Sequence, residues 1–524
     1  MGASDGGRRR RSRGGGISGE PNQTRLDTSI VALEPSSTGG GLKGQAIRSF
    51  VWTGFQTVSV RLLSLVTFIV LARLLTPHDF GVAAMAGVFT TLSALLAAGG
   101  FSQAIVQKET LEAEDVDSVF WVGMVVGVTL TTLTVILAWP LADFFRVPEL
   151  KAALWVLSPM FLVIAITSPH LGLLQRAFRF ATLARVAVSG NIAATVVGVS
   201  AALAGAGYWS LIIQTLMVPV WTSVAVWSIS DYRPGFRVSS QRFRDLFRIS
   251  RQFMGDRLMT FFYEQTDKAV IGRELGTAVL GVYSVAYRLI FVMLDVLVVS
   301  VQAVALPAFS RAQRDGKRLA NGYLTAIRLC TTVSMPIFMF VAVAAHDVVV
   351  VLFGSEWLAA VPAMQIFCAY GAVQSFLAYN TVFLQAVGYA RTVFWLAAAG
   401  TAVQIGMVVL AVQHGTTWVA ATFLIRACVM TPVVVGVIGR VLRPGVLGAV
   451  LRTVSVPGLG SLLLGLVTAG LVNWNALGSP WAALALALPT GVLVYLAVLR
   501  LAGPQHLREL RAVAGMMRGR SAAQ

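Results

Sequence analysis

Of 524 residues, 56% are hydrophobic and 12% charged, and the mean hydropathy is +0.75. These values exclude a soluble globular domain and indicate a chain that crosses a membrane many times. In a soluble domain a net charge of +18 would point to nucleic acid, but here the basic residues lie between apolar runs and report topology, so no nucleic-acid partner is expected.

Residues 1–45, with RRRRSRGGG and SSTGGG, hold too little apolar material to fold and read as a disordered, basic, cytoplasmic tail. The first apolar run begins only near Ile47, too far from the arginine cluster for a cleaved signal peptide. From there fourteen segments are long enough to cross about 30 Å of hydrocarbon: 47–71, 80–106, 117–139, 151–173, 181–204, 208–230, 251–272, 279–306, 322–345, 359–386, 392–412, 417–440, 451–472 and 480–502. The expected fold is thus an all-α polytopic membrane protein. With the N-terminus inside, 32 Lys and Arg fall at the inner side and 4 (Arg73, Arg146, Lys151 and Arg273) at the outer side. This asymmetry favours an arrangement with both termini cytoplasmic. Five more, Arg61, Arg257, Lys268, Arg288 and Arg426, fall within spans.

No connection is long enough for a folded external domain, and no GxxxxGK[ST] motif provides a nucleotide site. Cys330, Cys368 and Cys428 are far apart, and the five histidines are scattered. Neither a disulfide framework nor a metal site is implied, and no cofactor is expected.

The segments VLARLLTPHDFGVAAMA at 70–86 and VIGRELGTAVLGVYSVA at 270–286 match without a gap at Val70/Val270, Arg73/Arg273, Leu75/Leu275, Gly81/Gly281, Val82/Val282 and Ala86/Ala286. An even number of spans separates them, as expected for parallel repeats with a cavity between two lobes. The expected division is a tail at 1–45, an N-lobe at 46–230, a cytoplasmic loop at 231–250, a C-lobe at 251–442, two further spans in 443–502 and a basic cytoplasmic tail at 503–524. A shorter echo pairs FLQAVGYAR at 383–391 with LLQRAFRF at 173–180.

The seventh span carries FFYEQTDKAVIGREL. At 100° per residue, Arg257, Glu264, Lys268, Asp267 and Tyr263 share one arc of about 140°. Charges at the bilayer centre cost on the order of 2.5–3.5 kcal/mol each on insertion scales, so this arc must face protein or water. On span eight Arg288, Asp295 and Gln302 fall close to one line, and span one adds Arg61 and Ser64. Two readings stay open: an internal ion-pair network, Arg257 with Glu264 or Lys268 with Asp267, or a hydrated cavity whose cations meet an anionic ligand. In the second, Arg61, Arg257, Lys268 and Arg288 bind substrate, with Arg suited to phosphate. Glu264, Asp267 and Asp295 then couple an ion or balance charge. Arg426 sits near a span end, where it can snorkel.

ARLLTPHDFGVAAMA at 72–86, GGFSQAIVQKE at 99–109, LLQRAFRFATLA at 173–184, TDKAVIGRELGTAVLGVYSVAYRL at 266–289 and FLQAVGYAR at 383–391 follow in the order of the signatures of Wzx-type polysaccharide flippases in the MOP transporter superfamily, which the chain resembles over about residues 47–445. The resemblance implies two six-helix lobes followed by two extra helices. It implies a bacterial inner-membrane protein that exports undecaprenyl-pyrophosphate-linked oligosaccharide, as in O-antigen, lipopolysaccharide, capsule or exopolysaccharide assembly, by alternating access. Membrane lipids are then its surroundings, and other polysaccharide assembly proteins stay open as partners. The tail at 1–45 departs from the short N-terminus of that family.

The rivals are a cation or drug antiporter of the same superfamily, a lipid II flippase, and an integral membrane polysaccharide polymerase or ligase. The antiporter calls for a net acidic cavity. The enzyme calls for an acid–base or nucleophilic constellation on a sizeable loop, and the sequence shows none.

Overall fold

The computed structural model describes residues 42–299, 309, 316–441, 446–474 and 479–517. The expectations for residues 1–41, Gln302 and the last seven residues lie outside the described residues.

The bundle starts with α1 (Leu42–Leu74), which turns at Thr76 into α2 (Pro77–Ala98). That turn is written locally. The Thr76 hydroxyl accepts the Asp79 N–H, the Asp79 carboxylate accepts the Thr76 N–H at 3.0 Å, and Pro77 sits at the first helical position. The expected second span breaks at Gly99 and Gly100, both left-handed (φ 54° and 71°), into α2 and a short α3 (Phe101–Gln107). Then come α4 (Ala113–Phe145), α5 (Pro148–Leu157) and α6 (Pro159–Arg176), the last two together forming one expected span, then α7 (Phe180–Leu203) and α8 (Trp209–Ile229). A hydroxyl pair, Thr67 with Thr195 at 2.7 Å, joins α1 to α7, and Trp221 donates to Ser189 at 3.0 Å between α8 and α7.

The second half opens with α9 (Ser240–Glu274), longer than the expected 251–272, and α10 (Thr277–Leu294), which ends in a π-helical turn at Asp295–Val299. After it run α11 (Gly316–Val343), α12 (Ala345–Leu352), α13 (Val361–Ala386), α14 (Ala390–Ala411) and α15 (Thr416–Val441). Last come α16 (Val446–Trp474), α17 (Pro480–Ala502) and α18 (Pro504–Met517). The final pair packs on α11, away from α1 and α2, with the Tyr495 hydroxyl donating to the Thr332 carbonyl at 2.7 Å.

Among the described residues 13 helical stretches are long and apolar enough to span a membrane. The charged α9 is not one of them by composition, although its 35 residues reach about 52 Å at 1.5 Å per residue.

The two halves meet most closely where α2 and α10 begin. A Cβ on Gly81 would lie 1.8 Å from the Thr277 carbonyl oxygen, and one on Gly281 1.8 Å from that of Pro77. The helices therefore cross at backbone contact, and the glycines that matched in the repeat are the residues that permit it. The same end carries further ties between the halves. Arg73 donates to the carbonyls of Val350, Val351 and Leu352 at the end of α12, Trp357 Nε1 donates to the Ala72 carbonyl at 2.9 Å, and Phe80 meets Trp357 edge to face.

At the opposite end the connection into α9 is fastened to the first half. The Asp117 carboxylate accepts the Tyr232 hydroxyl at 2.7 Å and the Gly235 N–H at 3.0 Å, Trp121 donates to the Gly235 carbonyl and stacks on Phe236, and Arg242 holds Glu112 through two nitrogens at 2.6 and 2.7 Å. Burial and the Asp117 hydrogen bond push the Tyr232 phenol well above its ordinary range.

Candidate functional site

Directly beneath the Gly81–Gly281 crossing lies a cavity of about 400 Å³. Its roof is apolar, from Leu71 and Phe80, and α2 lines it as far as Thr91, about 16 Å along the helix. The first half contributes Ser64 from α1, Asn191 from α7, and Gln214 and Thr215 from α8. The second half contributes Gln265 and Lys268 from α9, and Ser284, Tyr287 and Arg288 from α10. Two cations thus line the cavity, and none of the residues lining it is acidic.

Each cation is positioned. Lys268 Nζ donates to the Glu264 carbonyl at 2.7 Å and to Gln265 Oε1 at 3.2 Å, and lies 4.3 Å from the centre of the Tyr287 ring, itself stacked on Phe291. Arg288 donates to Ser64 Oγ at 2.6 Å and faces Phe68. The Ser284 hydroxyl is buried with no hydrogen-bond partner, and Gln214 supplies a primary amide. Together these groups offer donors to an anion and a mixed donor–acceptor wall to hydroxyl groups.

Of the residues singled out in the sequence, Ser64, Lys268 and Arg288 line this space. Arg61 does not: it pairs with Asp295 at 2.9 Å between α1 and the π-helical turn, with 47% and 37% of the two side chains exposed. Asp267 is buried at 1% exposure on another face of α9, where Tyr283 donates to Oδ2 at 2.5 Å and Oδ1 has no partner. Glu264 is half-buried on α9. Arg257 is exposed, eleven residues below Lys268 and so about 16 Å away along the axis, and does not line the cavity. The ion pairs of the alternative reading, Arg257–Glu264 and Lys268–Asp267, are not found among the described residues. Geometry decides this: Lys268 folds back onto the carbonyl one turn earlier, while Asp267 turns toward α10. Arg426 donates to the Tyr263 hydroxyl at 2.7 Å over that ring's face, and Tyr263 meets Tyr370 at 2.9 Å.

Sequence reasoning missed the first-half wall of Asn191, Gln214 and Thr215. The signal was there, since an Asn and a Gln inside apolar spans each need an internal partner or water.

The helical bundle and its partly open, cation-lined cavity are those of a polytopic membrane transporter. The fold matches the lipid II flippase MurJ in an inward closed conformation, with a TM-score of 0.69 at 14% identity over 86% of this chain and 98% of that one. An inward-facing multidrug MATE transporter of the MOP superfamily matches at 0.56 and 18% over 77% and 98%.

A family model described as polysaccharide biosynthesis protein matches residues 70–362, and the chain belongs to that family. Its relatives include the succinoglycan biosynthesis transport protein ExoT of Rhizobium meliloti, 27% identical over 67% of this chain and 71% of ExoT. The teichuronic acid biosynthesis protein TuaB of Bacillus subtilis is 24% identical over 66% and 72%, and the lipopolysaccharide biosynthesis protein WzxC of Escherichia coli is 24% identical over 64% and 68%.

Proposed function

We propose that the protein is a flippase for a polyprenyl-pyrophosphate-linked oligosaccharide, the undecaprenyl-linked repeat unit of a bacterial surface polysaccharide. The observation that carries this reading is the cavity lining: Lys268 and Arg288 with no carboxylate among their lining neighbours. A pyrophosphate supplies the missing negative charge and accepts charge-assisted hydrogen bonds from both cations. Asn191, Gln214, Thr215 and Ser284 suit sugar hydroxyls. A cation antiporter needs the opposite lining.

The protein works in this reading as an N-lobe and a C-lobe rocking about the α2–α10 crossing, without covalent chemistry, in the cytoplasmic membrane with both termini inside. The crossing then closes the outer end. Asp295 balances Arg61, Asp267 is the buried carboxylate available to a coupled proton or cation, and Glu264 adds negative charge behind Lys268. Arg257, exposed further along α9, is the outlying member of the set and belongs to the entrance.

The test is translocation of a fluorescent undecaprenyl-pyrophosphate oligosaccharide in proteoliposomes, comparing the native chain with Lys268→Ala and Arg288→Ala. Transport lost in both variants at unchanged melting temperature supports the reading. Transport of lipid II instead assigns the neighbouring substrate class, and efflux of an organic cation without lipid transport overturns the reading.

A further inference from the structure

A second cavity, also about 400 Å³, shares no lining residue with the first and lies among the starts of α11 and α16 and the start of α18. Its wall carries two guanidinium groups, Arg328 and Arg452, with Thr453, Gln505 and His506. Arg328 gives one nitrogen to the Glu509 carboxylate, which leaves its other N–H groups free of that carboxylate, the acid paired here. The Arg452 side chain is exposed and makes no ion pair or hydrogen bond among the described residues. His506 is buried, its two ring nitrogens 3.2 and 3.3 Å from the carbonyls of Gly503 and Thr453, so it shapes the wall and fixes α18 to α16. Two guanidinium groups against one carboxylate leave the pocket with an unsatisfied positive charge.

The position of the pocket says where its ligand comes from. Immediately after the last span, α18 sets Leu507 against Leu464, Tyr495 and Leu499 and exposes Arg508 and Arg511. That is the division of a helix lying in the headgroup layer. A pocket of this volume is in the range of small-molecule sites, and a basic pocket between spans at headgroup depth selects phosphate.

We infer that the pocket between α11, α16 and α18 binds a phosphate-bearing anion, supplied by the headgroup of an anionic phospholipid and held by Arg328 and Arg452. The bound phosphate ties α18 and the last pair of spans to α11. It does so independently of what passes through the central cavity.

The experiment uses the purified full chain in mild detergent. Melting temperature and lipid adducts in native mass spectrometry are read with phosphatidylglycerol, phosphatidylcholine or inorganic phosphate. The expected result is a phosphatidylglycerol-dependent rise in melting temperature, with an apparent affinity at least about tenfold weaker in Arg452→Gln, equivalent to about 1.4 kcal/mol. Arg452→Lys recovers part of the effect, and Arg248→Gln, an exposed cation on α9, keeps all of it. Because Arg452 is exposed, an unchanged melting temperature without lipid shows that the variant folds. Inorganic phosphate that reproduces the shift and displaces the lipid assigns the same anion site to a soluble phosphate. Equal binding of phosphatidylglycerol by Arg452→Gln and the native chain, or equal stabilisation by phosphatidylcholine, overturns the inference.

Discussion

Two regions a few ångströms apart follow opposite rules. At the α2–α10 crossing, Gly81 and Gly281 give up their side chains so that backbone meets backbone, and no charge enters the contact. Just below, the same two helices stay packed, and the space beside them is lined by Lys268, Arg288, amides and hydroxyls. The crossing is set by backbone contact and should not tolerate added volume, whereas the cavity is lined by cations and, under the proposed function, should not tolerate lost charge. The two should therefore fail differently.

The largest effect is expected at the crossing. Gly81→Leu or Gly281→Leu cannot be accommodated at 1.8 Å from a carbonyl oxygen, so the halves must separate at that end. Overpacking of this kind costs about 1–3 kcal/mol or more. A fall in melting temperature, with new reactivity of a cysteine placed at Leu71, would mark it, and unchanged values would mean that the crossing yields to a side chain.

Next in size is the buried carboxylate. Tyr283→Phe removes the hydroxyl that Asp267 accepts and leaves a second unpaired oxygen beside Oδ1, at a cost of about 1–3 kcal/mol. Asp267→Asn in the Tyr283→Phe background should restore part of that stability in a denaturation series.

Lys268→Ala and Arg288→Ala invert the pattern seen at the glycines. Each should reduce transport tenfold or more while moving stability by about 1 kcal/mol or less, since each cation lines open space. Equal losses of transport and stability would make them structural. Smallest is Arg61→Gln or Asp295→Asn: the pair is exposed, and such pairs contribute about 0–1 kcal/mol. Its effect should show in transport at low salt and fade as salt rises.

Much of this contrast was legible in the sequence, but not its pairing. The repeat at 70–86 and 270–286 singled out Gly81 and Gly281 as equivalents. That they are also each other's neighbours follows from a two-fold-like meeting of halves, which a linear comparison does not encode. The helical arc on α9 marked Lys268 and Asp267 as one set, but it merged two faces: one opens on the cavity, the other closes on Tyr283. Arg257 shared the arc in angle and not in depth. Angular projection discards the axial coordinate, and eleven residues separate it from Lys268. Asn191 and Gln214 were visible only as isolated polar residues, because one amide in an apolar span forms no period. The breaks at Gly99–Gly100, where φ turns positive, and at Ser158–Pro159, where proline lacks an N–H, were invisible to hydropathy, which sums composition alone.

The fastening of residues 232–242 onto Asp117, Trp121 and Glu112 bears on how the molecule transmits force. The helix that follows is anchored at its start in one half and contributes Gln265 and Lys268 to the opposing wall near its other end. It is in effect a lever with a fixed fulcrum. At about 52 Å long, a swing of about 10° about the anchor carries the far end through about 9 Å. Loosening the Arg242–Glu112 clasp would thus free the pivot, and a tilt of about 5° there would shift Lys268, about 39 Å along the axis, by about 3 Å.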